Sequence, residues 1–395
     1  MRIVPGMFEG SRTAFKLMKI VTVVGARPQF IKAGPISKAI ARHNGSMPAA
    51  DGKIEEIVVH TGQHYDPEMS AVFFETLRLT VPKYNLGVGS GSHGQQLAKM
   101  IERLETVLQG EGPDVVVVYG DTNSTLAAAL VADRLQIPIA HVEAGLRSFN
   151  RLMPEETNRV LTDHISCLLF APTSTAVKNL ANEGITAGVF LVGDVMYEAA
   201  MENSDAAEKA STILDRLGLA PKSYTLTTLH RAENTDDAER MERLLAALIK
   251  IAATQPLVWP LHPRTLKRLH SGQVSRIQNS GIRLIDPVPY LDMLVLEKAA
   301  NAILTDSGGV QKEAMWFQVP CITMRDETEW VETVESGWNQ IAGTSTQAIT
   351  HAFENVLKRS PAPFEIDPRK PKASELIVQQ ICSSYSHRSK SLIAS

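Results

Sequence analysis

The sequence predicts an α/β protein of two Rossmann-like domains facing a central cleft. Three observations predict it. Short Val/Ile-rich runs alternate with helical patterns along the chain. The runs are continuously apolar, as strands buried on both faces of a parallel sheet are. The alternation stops in a polar stretch at 201–223 and then begins again. A chain of 395 residues is also too long for one comfortable core.

In order, the first half offers the strands "KIVTVVG", "EEIVVHTG", "DVVVVYGD", "IPIAHVE", "CLLFAPT" and "VFLVGD". Helical stretches such as "NSTLAAALVADRL" and "STAVKNLANEG" separate them. The second half repeats the pattern with "YTLTTLHR", "PLVWPLHPRT", "IRLIDPV", "NAILTDSGG" and "PCITMRDE", and with the helix "ERMERLLAALIKIAATQ". The fold is expected to start at Met18, leaving 1–17 as a flexible N-terminal extension. An N-terminal domain then spans 18–200 and a C-terminal domain 201–375. The helix near "ASELIVQQI" and the polar tail, 376–395, are expected to pack back on the first domain or fray. No internal repeat or low-complexity tract interrupts this order.

Composition excludes several classes. Hydrophobic residues at 44% and charged residues at 21% are ordinary globular values. A formal net charge of −3 offers no polybasic footprint, so neither a nucleic-acid nor a membrane partner is expected. No apolar run has the length of a bilayer span, and the first 17 residues lack the apolar core of a signal peptide. Cys167, Cys321 and Cys382 are odd in number and have no CxxC spacing. They fit a reducing, cytoplasmic setting better than a disulfide framework or thiolate metal site.

Nearly every predicted strand ends on polar chemistry: Arg27, His60, Asp121, Glu143, Asp194, His230, His262, Asp286, Asp306 and Arg325. Each alone could cap a helix or open a turn. Together they would meet in the crevice at the carboxyl ends of the strands. "TDSGGVQKEA" (305–314) opens a helix after an apolar strand. Ser307, Gly308 and Gly309 would aim backbone N–H groups at a diphosphate, with Glu313 placed to accept from ribose hydroxyls. In "GARPQFIK", Arg27 and Lys32 suit an anionic ligand.

Two motifs are decoys. "GSGSHG" (89–94) matches GxGxxG but lacks the preceding strand that the dinucleotide fingerprint needs. "HTGQH" places His60 and His64 four apart in a turn with no third metal ligand, so no metal site is expected.

The stretch "HVEAGLRSFNRLMPEE" (141–156) carries Glu143, Glu155 and Glu156 after an apolar strand. With Asp121 from "YGDTNSTLAAAL", it gathers carboxylates on one side of the cleft. Such crowding is expected to raise at least one pKa and equip a general acid or base. "TLHRAEN" adds His230 from the facing domain, the side chain best suited to proton exchange near neutral pH.

"GARPQFIK", "HTGQHYD", "VYGDTNSTLA", "HVEAGLRS", "MPEETNR", "LHRAEN" and "LTDSGGVQKEA", in this order over residues 18–375, resemble the non-hydrolysing UDP-N-acetylglucosamine 2-epimerases. The resemblance implies the glycosyltransferase B-type fold, a UDP-sugar substrate, a homodimer and no cofactor. It assigns catalysis to Asp121, Glu143, Glu155 and His230, and substrate or UDP binding to Arg27, Lys32, Tyr290, Ser307, Gly308, Gly309 and Glu313. Some positions depart from the family's commonest form. Trp330-Val331 replaces an Arg-Pro, Asp66 replaces a Gln, and an Arg expected near Gln95 is absent. The last two remove parts of the regulatory substrate site described for the family. The set resembles the branch acting on UDP-2,3-diacetamido-2,3-dideoxyglucuronic acid, and that sugar and UDP-N-acetylglucosamine both stand as candidates.

Inverting C2 without an oxidising cofactor calls for loss of the C2 proton as the anomeric C–O bond breaks. UDP and a 2-acetamidoglycal result, followed by re-addition from the other face. That path needs a base, an acid on the opposite face and a cradle for UDP. Asp121 or Glu143 is the expected base near C2, with Glu155 as its partner. A glycosyltransferase of the same fold, a hydrolysing epimerase and a non-catalytic sensor are the competing readings.

Overall fold

The computed structural model describes residues 17–47, 52–63, 74, 79–358, 361–364 and 371–393, with backbone alone at 263–264 and 386–393. The expected N-terminal extension, apart from Leu17, lies outside these residues, as do His64 and Asp66.

Two parallel sheets carry the chain. The first joins β1 (Met18–Val24), β2 (Ile54–His60), β3 (Tyr84–Asn85), β4 (Val115–Tyr119), β5 (Ile139–Val142), β6 (Leu168–Ala171) and β7 (Val189–Leu191) in the order β3-β2-β1-β4-β5-β6-β7. The second joins β8 (Thr225–Thr228), β9 (Leu257–Pro260), β10 (Ile282–Ile285), β11 (Ala302–Thr305), β12 (Cys321–Thr323) and β13 (Asn339–Ile341) in the order β10-β9-β8-β11-β12-β13. The fold is the glycosyltransferase B type.

The uninterrupted apolar strands have the predicted physical cause. In β1, Ile20 and Val24 pack into one apolar layer while Val21 and Val23 pack into another, so both sheet faces are covered. The short strands β3 and β13 were not foreseen. At two and three residues they carry no periodic signal.

The join expected at 201–223 begins inside a helix, Val195–Ala210. Met196, Ala199 and Ala200 of this helix share an apolar cluster with Ile31 of the first half and with Tyr290, Leu294, Met315 and Trp316 of the second. The last helix, Ala373–Ile393, buries Ile377, Val378 and Ile381 in the cluster that also holds Met18, Ile20 and Val58. The chain thus returns to its first sheet.

Strand order locates the crevice. In the first sheet the direction of winding reverses between β1 and β4, and in the second between β8 and β11. Loops after strands at such a point diverge and leave a ligand crevice. The segments leaving these four strands carry Arg27, Asp121, His230 and Ser307–Gly309.

Candidate active site

A cleft between the sheets has one lobe of about 520 Å³ lined by Arg27, His93, His262, Tyr290 and Glu313. A second of about 800 Å³ is lined by Lys32, Glu143, Gly308, Lys312 and Trp330. Asp121, Glu155, His230, Ser307 and Gly309 line both lobes. Every residue to which the family resemblance assigns catalysis or binding therefore borders this one cleft.

The carboxylates are organised differently from one another. Asp121 follows β4, and Arg159 donates to its Oδ2 at 2.6 Å. Arg159 also holds Glu156 at 2.7 Å, and Glu156 accepts the backbone N–H groups of Ser148 and Phe149. Glu156 is 1% exposed and ties down the loop before the helix Pro154–Ile165, whereas its neighbour Glu155 opens on the cleft. Glu155 makes no ion pair among the described residues.

Glu143 leaves β5 with φ +74°, a left-handed conformation unusual for a side-chain-bearing residue. Its backbone N–H and that of Ala144 both bond the Phe170 carbonyl. This turn is held from behind. Asp163 accepts from His141 Nδ1 at 2.7 Å, from Arg147 Nη1 at 2.7 Å and from Gly145 N–H at 3.1 Å. His141 reaches the Gly120 carbonyl with its other nitrogen, at 2.8 Å, linking the turns that bear Glu143 and Asp121.

The expectation that crowding raises at least one carboxyl pKa in this group is not met at Glu143 or Glu156, both of which are lowered. Burial favours the neutral form of Glu143, but Lys32 contacts one carboxylate oxygen and Lys312 the other, and together they hold its pKa at about 2. The raised carboxyls stand on the opposite wall. Burial pushes Glu313 to about 7 against the pull of Lys312 and the hydroxyl of Tyr290, which lies 3.4 Å from Glu313 Oε1. Behind it, burial first and the Glu313 charge second drive Glu297 well above the usual range.

The strand-end residues do not all enter the cleft either. Asp306 is fully buried and accepts the backbone N–H groups of His230 and Arg231 and the amide of Asn234, so it latches the turn after β8. Arg325 is buried against Glu329 at 3.0 Å. His60 meets the edge of Phe30, Asp194 takes an ammonium from Lys312, and Asp286 is exposed. Polar strand ends close turns as often as they line a crevice, and spacing alone does not separate the two.

On the facing wall, His230 and His262 lie with ring centroids 5.4 Å apart. Ser307 is the N-cap of the helix Gly308–Trp316, which opens its first turn on the cleft. Gly308 is sterically required there: a Cβ would come within 2.4 Å of Glu329 Oε1 and 3.2 Å of Trp330 Nε1. No cluster of metal-ligating side chains occurs among the described residues.

Three cleft residues escaped the sequence reading. His93 lies inside the "GSGSHG" motif set aside as a decoy and begins a helix there, and the capping pair Ser92 and Gln95 marks that helix start. Arg159 follows "MPEETN" by one position. Lys312 lies within the quoted "SGGVQKEA", yet its partners are remote in sequence.

Residues 48–381 match the family described as UDP-N-acetylglucosamine 2-epimerase. A UDP-N-acetylglucosamine 2-epimerase homolog of Methanococcus maripaludis is 53% identical over 87% of this chain and 93% of its own. The UDP-2,3-diacetamido-2,3-dideoxy-D-glucuronate 2-epimerase of Pseudomonas aeruginosa is 47% identical over the same shares. Among solved structures, the Methanocaldococcus jannaschii UDP-GlcNAc 2-epimerase in complex with UDP-GlcNAc and UDP superposes with a TM-score of 0.84. It is 45% identical and covers 93% of this chain and 100% of its own.

Proposed function

The chain belongs to the UDP-N-acetylglucosamine 2-epimerase family, and from that premise we propose how its cleft divides the labour of epimerisation. The protein is an isomerase of the non-hydrolysing type that inverts C2 of a UDP-2-acetamido sugar.

UDP lies along the second sheet. The first-turn N–H groups after Ser307 and the helix dipole favour its diphosphate, and Arg27 adds charge. Glu313, with Tyr290 beside it, accepts from the ribose. The sugar faces Asp121, Glu143 and Glu155. A carboxylate takes the C2 proton, the C–H pair forms the C1–C2 double bond, and the C1–O pair leaves with UDP. His230 supplies hydrogen bonding to the departing phosphate oxygen. A proton then returns to the other face of C2, and UDP oxygen re-adds at C1.

Glu143, held ionised by two ammoniums, is a weak base. That leaves Asp121 and Glu155 to exchange the C2 proton, with Glu143 fixing charge and position between them. The single observation carrying this reading is that Asp121 and Glu155 share one cleft with His230 and the Ser307–Gly309 turn. The chain works as a cytoplasmic homodimer, with domains dividing near residue 200. Both UDP-N-acetylglucosamine and UDP-2,3-diacetamido-2,3-dideoxyglucuronate are substrates to test, because relatives of each name share 47% identity with it.

The test is NMR of each UDP-sugar incubated with the protein in D₂O. Deuterium at C2 in an equilibrium of two UDP-linked epimers is expected. Release of free sugar would assign a hydrolysing enzyme, and unchanged UDP-sugars without an acceptor would assign a transferase or a sensor.

A further inference from the structure

Lys312 sits one turn into the helix Gly308–Trp316 and is 3% exposed. Its ammonium donates to Glu143 Oε1 at 3.1 Å and to Asp194 Oδ2 at 2.7 Å. It also lies 3.6 Å from the ring centroid of Trp330 and 5.4 Å from that of Trp316. Trp330 in turn packs with Leu146, Ala171 and Ala176 of the first half. The nucleotide helix and the Glu143 turn, on opposite sides of the cleft, are therefore joined through one buried cation with an aromatic cover.

We propose that Lys312 is a positioning residue for the epimerisation: it ties the Glu143 carboxylate to the helix whose N-terminus receives the nucleotide, and Trp330 shields that tie from water. The proposal rests on the reading of the cleft given above, extends the part Lys312 plays in it beyond keeping Glu143 ionised, and adds a role for Trp330.

Charge counting supports it. Lys32 and Lys312 face Glu143, and Lys312 also faces Asp194. Two cations thus balance two anions, and Glu313 is a further acid that feels both Lys312 and Asp194. Without Lys312, the buried Glu143 carboxylate would keep only the ammonium of Lys32, and the part-buried Asp194 carboxylate would lose its ion pair. Leaving a buried charge unpaired is costly, so one carboxyl would take a proton instead. The Trp330 face adds cation–π attraction that strengthens when water is excluded.

The experiment compares kcat, KM and their pH profiles for the full-length protein and for Lys312→Met, Lys312→Arg and Trp330→Leu, with UDP affinity measured by calorimetry. Lys312→Met is expected to lower kcat by about 100-fold and to move the acid limb of the kcat profile upward by about one pH unit or more. UDP affinity should change far less. Lys312→Arg should recover part of kcat, and Trp330→Leu should move the limb in the same direction by less. An unmoved limb in Lys312→Met and Trp330→Leu overturns the proposal, as does a kcat loss matched by an equal loss of UDP affinity. Should Lys312→Met not fold, Trp330→Leu still decides, since an unmoved limb in it overturns the proposal. A wild-type protein that leaves both UDP-sugars unchanged would instead refute the epimerase reading itself.

Discussion

Arg159 places its Nη2 2.6 Å from the Asp121 Oδ2 while its Nη1 holds Glu156. One buried guanidinium thereby fixes a proposed proton-transfer group against the loop that brings Glu155 to the cleft. The arrangement leaves Asp121 partly open, with its side chain 32% exposed, although its partner is 3% exposed.

Asp121→Asn keeps the shape and removes the charge. Turnover is expected to fall about 100-fold or more, with UDP affinity within a few-fold of the parent. Steady-state kinetics together with UDP calorimetry checks this, and near-normal turnover would remove Asp121 from the chemistry.

Asp163 touches no part of the cleft but holds the turn that Glu143 leaves. Asp163→Ala leaves the buried Arg147 with Glu183 as its remaining ion-pair partner and removes the acceptor of the Gly145 N–H and of His141 Nδ1. A loss of about 3–5 kcal/mol is expected for removing one partner of a buried pair. Denaturant unfolding measures it, and a change below about 1 kcal/mol would show that the network relaxes freely.

Gly308 and Gly309 are adjacent yet differ in the space beside them. A Cβ on Gly308 displaces Glu329 from its 3.0 Å contact with Arg325, whereas a Cβ on Gly309 meets nothing nearer than Ser307 Oγ at 3.8 Å. Gly308→Ala should lower the melting temperature by several degrees, and Gly309→Ala should leave it nearly unchanged. Weaker UDP binding in Gly309→Ala, with stability intact, would mark the approach of the ligand to the backbone.

Glu313 sets a pH dependence whose sign is fixed by its direction. Its folded pKa of about 7 stands above the ordinary 4.5, so the folded protein keeps a proton that the unfolded chain releases. Its contribution to stability is present below about pH 4.5 and is lost as pH rises through 7. Ribose hydroxyls donate to a carboxylate, so UDP affinity should weaken as pH falls below 7, by up to about tenfold per unit. Calorimetry from pH 5.5 to 8 with Glu313→Gln as reference separates this from titration of the nucleotide phosphate. Parallel profiles would exclude Glu313 from ribose recognition.

The sequence was most legible where one element suffices to interpret it. The Val/Ile runs of β1 and β4 declared themselves because both faces are covered by helices, and the Ser-Gly-Gly turn because a strand precedes it and a helix follows. β3 and β13 are paired by neighbours rather than by their own pattern. The electrostatics of Glu143 were illegible for a related reason. Carboxylates close together in the sequence suggested repulsion, but Lys312 lies 169 positions away and reaches Glu143 across the cleft. Asp306 and Asp121 both follow apolar strands. Only backbone geometry makes one a buried turn latch and the other a cleft residue.

Because Ile377, Val378 and Ile381 complete the layer beneath β1, the first sheet to leave the ribosome is among the last parts of the protein to be finished. A nascent or prematurely stopped chain carries an uncovered greasy stripe over Ile20 and Val58 until the final helix docks. Loss of that helix therefore bares apolar surface on the first sheet even when every residue of the cleft is intact.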